Sequence, residues 1–244
     1  TVDTTIYGTT GSISLSFWMK LDRTDGNTTH IYSAMDTDGD ISQRLYYKSG
    51  YLFWLFYRED SSNNTEIGSF SLLLVKDQFK LNNLLEWNHI AVAWNGLDDG
   101  AGRLYLNGAI HHTDSTFNAP YAAFSIPDVK NSSRAPASIH LYDLGNASSF
   151  YELEGALQEF IIWDKEIDAT DVSEIYNEGN YFNAVNATSN SSILEYWSLG
   201  SGEAFDPFDY GSTISSGFTI KSLHGISGVD LTTNVPYQVV PGFY

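Results

Sequence analysis

The chain has 244 residues, with 30 acidic against 12 basic side chains, a formal net charge of −18, no cysteine, and 6 Trp, 16 Tyr and 14 Phe. That charge repels phosphate backbones and twelve dispersed cations make no basic stripe, which excludes a nucleic-acid partner; the longest apolar runs, 52–57 and 72–75, fall far short of the roughly 20 residues that span a bilayer. Without cysteine there are no disulfides, no thiol catalysis and no zinc–thiolate site, so packing alone must hold the fold.

Residues 12–21 alternate cleanly. Ile13, Leu15, Phe17, Met19 and Leu21 share one face, and Ser14, Ser16, Trp18 and Lys20 the other, the period of a half-buried strand. Further strands are predicted at 44–47, 51–57, 87–94, 103–106, 139–144, 153–163 and 193–199. Turns punctuate them at Asp25-Gly26-Asn27, Asp38-Gly39, Ser49-Gly50, Asp98-Asp99-Gly100 and Asn107-Gly108. Asn107-Gly108 is the sharpest signal, because a type I′ hairpin needs positive φ at both central residues; it predicts a tight hairpin over 104–111. Only one segment reads as a helix. Asp168 caps it, Asp171 sits in its first turn, Val172, Ile175 and Tyr176 give i, i+3, i+4 spacing, and Gly179 is the expected stop.

Many short strands with one short helix imply an all-β fold, an antiparallel β-sandwich or jelly roll. No fixed-period repeat and no Pro/Gly/Ser linker divides the chain, so a single domain over 1–244 is expected, with 183–244 as an extension that completes the sandwich. The three prolines and missing period of 115–138 predict a long loop across the rim. The chain opens at Thr1 without Met or signal peptide, which reads as a start that is processed or cut from something longer. Asn-x-Ser/Thr sequons stand at Asn27, Asn63, Asn131, Asn146, Asn186 and Asn190.

Three blocks carry a family resemblance. The first is Ser14-Leu15-Ser16-Phe17-Trp18-Met19-Lys20. The second runs from Glu86-Trp87-Asn88-His89-Ile90 through Trp94-Asn95-Gly96 to Gly102-Arg103-Leu104-Tyr105-Leu106-Asn107-Gly108. The third is Leu157-Gln158-Glu159-Phe160-Ile161-Ile162-Trp163, followed by Asp171-Val172-Ser173-Glu174-Ile175-Tyr176. In order and content they resemble the laminin-G-like, concanavalin-A-like jelly-roll domains, whose opening strand, paired central strands and closing strand plus helix they match. The resemblance implies that architecture. The family's usual first strand, rich in Phe-Asp-Gly, is missing before Ser12; either residues after Leu199 supply it or it lies upstream. More thinly, Ile175-Tyr176-Asn177-Glu178-Gly179 and Ile193-Leu194-Glu195-Tyr196-Trp197 look like the stretch after such domains in marine bacteriophage proteins.

The search for chemistry mostly returns absences: no Gly-x-Ser-x-Gly elbow, no phosphate-binding glycine loop and no His-Glu-x-x-His. His111 and His112 are strand neighbours, expected on opposite faces and at the surface, where they cannot chelate one ion together. Jelly-roll glycosidases of related fold place acids at alternate positions, typically Glu-x-Asp-x-Glu. Here Glu152 and Glu154 begin such a pattern and Ala156 ends it, so the chain is read as non-catalytic. Asp36, Asp38 and Asp40, alternating around Gly39, match the first half of a calcium loop, but Tyr47 stands where the bidentate Glu belongs; they read either as a Ca2+ site or as a hairpin turn facing water. In Tyr51-Leu52-Phe53-Trp54-Leu55-Phe56-Tyr57 both faces are apolar. Tyr51, Trp54 and Tyr57 are the candidates for a displayed sugar platform or a subunit contact, the alternative being plain core.

Two functions compete. One is a structural component of a virus particle, a decoration or fibre, held by self-association or by neighbouring shell proteins. The other is a secreted lectin-like domain that binds a host-surface glycan; either setting is extracellular, and a hydrolase is a distant third.

Overall fold

A computed structural model describes residues 11–22, 28–35, 41–60, 63–96, 100–116, 138–141, 153, 155–180, 182, 184–197, 219–220 and 229–230. Its strands are β1 (Ile13–Leu21), β2 (Thr29–Met35), β3 (Ile41–Lys48), β4 (Tyr51–Asp60), β5 (Asn63–Leu73), β6 (Asn88–Trp94), β7 (Gly102–Leu106), β8 (Ala109–Asp114), β9 (Ser138–Leu141), β10 (Gly155–Trp163), β11 (Ile193–Trp197), β12 (Thr219–Ile220) and β13 (Val229–Asp230). One α-helix, α1, spans Ala169–Tyr176. The strands form a six-stranded sheet in the order β11-β10-β1-β6-β7-β8, a five-stranded sheet in the order β5-β4-β3-β2-β9, and the small pair β12-β13. Every pairing is antiparallel. This is the expected sandwich, with one short α-helix among the described residues.

The two large sheets hide their facing side chains in one core. Ile13, Leu15, Phe17, Met19 and Leu21 of β1 are all buried there, as their alternation requires. Aromatic rings bridge the layers: Trp94 of β6 lies 4.9 Å from Phe56 of β4 and 5.5 Å from Phe70 of β5 between ring centroids. Phe160 of β10 stacks on Tyr32 of β2 at 5.6 Å. Burial of this kind contributes about 25 cal/mol per Å2 of apolar surface removed from water, which makes it the main source of stability in a chain without disulfides.

The other face of β1 departs from expectation. Ser14 and Ser16 are fully buried and Trp18 nearly so. The strand is covered on both sides because residues after β10 fold back over the six-stranded sheet. Ala91, Ala93, Tyr105, Ile161 and Trp163 of that sheet pack under Ile167, Val172, Ile175, Ala184 and Ala187. The serines serve as anchors: Ser14 Oγ donates to the Lys165 carbonyl (2.7 Å) and accepts from Ile167 N (3.0 Å), while Trp163 Nε1 donates to Ser16 Oγ (2.9 Å). Hydroxyls short enough to sit under a covering segment satisfy backbone groups that would otherwise be buried without partners.

Asp168 caps α1 as its sequence position predicts, accepting from Thr170 N (2.8 Å) and Asp171 N (3.0 Å), and Asp171 Oδ2 accepts in return from Asp168 N (3.0 Å). Replacing Asp168 with Ala is expected to cost about 1 kcal/mol, read as a lower urea midpoint at unchanged slope. The helix stops earlier than expected. Asn177, left-handed at φ 47°, forms the C-cap, and Gly179 (φ 85°) lies beyond it. The Asn107-Gly108 turn has the two positive φ angles (49° and 83°) of its predicted type. The ring of Tyr176 sits so close to Gly108 that an added Cβ would meet it at 2.5 Å.

Where the sandwich would leave two open sheet edges side by side, side chains close them. Asp114 Oδ2 of β8 accepts from Ser71 N of β5 (3.0 Å), His112 Nδ1 accepts from Leu73 N (3.3 Å), and His111 Nε2 donates to the Leu74 carbonyl (2.7 Å). His111 and His112 therefore reach the same segment, contrary to the opposite-face expectation. A bulge between Leu104 and Tyr105 of β7 breaks the alternation at His111. Both rings are half-buried, and burial lowers both pKa values.

Candidate functional site

The remaining sheet face is the outer side of the five-stranded sheet. Its register is set by the turn Ser49-Gly50, whose two positive φ angles (50° and 90°) join β3 to β4 with Lys48 opposite Tyr51. From that pairing, Arg44 faces Leu55 and Tyr46 faces Phe53 on one side, while Leu45 faces Trp54 and Tyr47 faces Leu52 on the other. Leu52, Trp54 and Phe56 point into the core and are fully buried. Tyr51, Phe53, Leu55 and Tyr57 point outward.

This parity splits the three aromatic candidates. Tyr51 is 38% exposed at the end of the strand, whereas Tyr57 is 8% exposed. Trp54, with no exposure, is a core residue against Phe56 (5.1 Å) and Phe70 (6.3 Å) and leaves the candidate set. Its place on the outer face is taken by two residues not singled out from the sequence. Tyr46 stacks on Phe53 at 5.0 Å and 17°, and Tyr51 lies 6.0 Å from Phe53. Tyr46 and Phe53 are half-buried, so the three rings form a continuous, partly open aromatic surface. The signal was present: a two-residue turn fixes which β3 residue faces which β4 residue, and that assigns the faces.

The surface grades from open to closed. Near the turn, Lys48, Tyr51 and Ser71 are exposed. Toward the other end Leu55, Tyr57 and Ile41 form a buried cluster against which Tyr46 and Phe53 pack. Between the two lies Arg44, with its guanidinium carbon 5.1 Å from the Tyr46 ring centre and 5.3 Å from that of Tyr57. Beside it the buried His30 ring packs on Tyr46 at 5.4 Å. Desolvation, with the Arg44 charge adding to it, lowers the His30 pKa to about 4, so this imidazole is neutral at pH 7.

The other candidates stand as follows. Asp36, Asp38 and Asp40, and likewise Glu152 and Glu154, lie outside the described residues. Among the described residues no group of three or more His, Cys, Asp or Glu is arranged to hold a metal ion, and no helix is long and apolar enough to cross a membrane. Of the sequons, Asn186 and Asn190 are described with exposed side chains.

A two-layer antiparallel fold is the class to which comparison with known proteins also leads. The family model of the concanavalin A-like lectin/glucanases superfamily matches residues 1–173, and the chain belongs to that family. No curated protein matches it. Among solved structures it is similar to a putative carbohydrate binding protein from Bacteroides ovatus, with 14% identity and a TM-score of 0.47, over 82% of this chain and 48% of that one. It is also similar to the receptor binding domain of botulinum neurotoxin mosaic serotype C/D, with 14% identity and a TM-score of 0.42, over 68% of this chain and 36% of that one. The type G receptor binding domain aligns at 17% identity and a TM-score of 0.39, over 68% and 38%. The chain thus spans between about a third and a half of the length of these structures.

Proposed function

We propose that this chain is a non-catalytic binding module that takes a saccharide on the outer face of its five-stranded sheet. The observation that carries the reading is the row of adjoining rings Tyr46, Phe53 and Tyr51, open at the Ser49-Gly50 end. Flat rings offer a sugar apolar contact at little entropic cost, and the Tyr hydroxyls add polar tips. Membership of a lectin-type family supports it, and the thin likeness of 175–179 and 193–197 to the stretch after such domains in marine bacteriophage proteins motivates placing the module on the outside of a virus particle, with a secreted adhesin as the other setting.

A glycan array probed with the full chain is expected to show bound sugars. Tyr51→Ala and Tyr46→Ala should each lower affinity about tenfold, the effect of losing about 1.4 kcal/mol of contact. Because Tyr51 is 38% exposed, its replacement should leave the melting temperature nearly unchanged. An array that stays blank, joined to a concentration-dependent dimer that Tyr51→Ala abolishes, would assign the face to self-association instead.

A further inference from the structure

We infer that the saccharide bound on this face is acidic, its carboxylate or sulfate taken by Arg44. This rests on the sugar-binding reading above and narrows it. The chain has only 12 basic residues among 30 acidic ones, so an arginine without a carboxylate is unexpected. Arg103 pairs with Glu166, and Lys165 with Asp171 at 2.7 Å. Among the residues whose side chains are described no carboxylate pairs with Arg44; the rings of Tyr46 and Tyr57 lie against its guanidinium. Its Nε is buried without an acceptor. The residue as a whole is half-buried, so the part of its guanidinium fork that reaches the surface can donate to an incoming oxyanion.

The surroundings fit that ligand. His30, which feels the Arg44 charge, is neutral, and the facing positions Ser33 and Leu55 bring no negative charge. Lys48 lies four residues along the same strand face, about 13 Å away at 3.3 Å per residue, with Tyr46 between the two cations. A cation, a ring surface and a second cation in line suit an oligosaccharide carrying acidic groups at intervals. The net charge of −18 disfavours densely charged polyanions, but beyond about 10 Å it is screened at physiological salt, so a sparsely charged sugar is admitted.

The test compares each acidic sugar with its neutral counterpart by calorimetry at 150 mM salt, on the full chain. Tetragalacturonate is set against its methyl ester, and a sulfated carrageenan tetrasaccharide against the same tetrasaccharide after desulfation. Tighter binding of the acid by tenfold or more in either pair is expected, and the pair that shows it distinguishes carboxylate from sulfate. Arg44→Gln should reduce that preference to near one, and Arg44→Lys should restore only part of it, since an ammonium has no fork for a bidentate oxyanion. Equal binding of acid and neutral forms by the wild type, or a preference that survives in a folded Arg44→Gln, would overturn the inference while leaving the sugar-binding reading in place. Absence of binding by every probe and on the array would remove both.

Discussion

Trp94→Ala should destabilise the chain by about 3–5 kcal/mol, a large part of the 5–15 kcal/mol that holds an ordinary domain together. Trp94 is fully buried and bridges the layers through Phe56 and Phe70, so truncating it opens a cavity lined by residues of both sheets that strand pairing keeps from collapsing. Near 244 residues each kcal/mol is worth about 2–4 °C, so the melting temperature should fall by about 6–20 °C. A fall of a degree or two would mean that the sheets are held together elsewhere. Trp94→Phe, which keeps a ring between the layers, should lose markedly less.

Mild acid should have a comparable effect without any mutation. Burial lowers the His89 pKa to about 3, and burial with the Arg44 charge lowers that of His30 to about 4, against 6.5 for an unperturbed imidazole. His89 packs against the rings of Trp18 (5.3 Å) and Tyr176 (6.0 Å), and its Nδ1 is buried without a partner. Between pH 6.5 and these lowered values the unfolded chain binds protons that the native state refuses. Stability is therefore complete above pH 6.5 and declines as the pH falls toward 4 and then 3. At about 1.4 kcal/mol per pH unit and site, the two together should cost on the order of 4 kcal/mol by pH 5. Urea midpoints measured from pH 7.5 to 4.5 would show the slope. NMR titration would show both rings still neutral at pH 5; a ring that titrates near 6.5 would remove its share. His89→Leu, which buries no imidazole, should flatten about half of the decline.

The parts of this fold that were legible in the sequence were those where one local rule decides. Alternation in β1 gave the core face, Asn107-Gly108 gave the β7–β8 hairpin, and Asp168 gave the start of α1. Other features depended on contacts distant in the chain. The serine face of β1 looks solvent-facing until residues after β10 are known to cover it. β2 and β5 escaped the periodicity: a register shift between His30 and Tyr32 breaks the first, and the second opens with Asn63, Asn64, Thr65 and Glu66. In β4 every position is apolar from Tyr51 to Tyr57, so period alone could not separate Trp54 in the core from Phe53 on the surface. Only the pairing through Ser49-Gly50 does that. Arg44 was invisible as a candidate because its significance lies in what fails to accompany it.

The covering of the six-stranded sheet by α1 and the turns that follow also bears on valency. Among the described residues the outer side of the six-stranded sheet is covered by the chain itself, so under the proposed reading each copy offers one sheet face to a saccharide. Were the module displayed in many copies, as proposed, strong attachment to a repetitive surface would come from their number, with avidity set by their spacing.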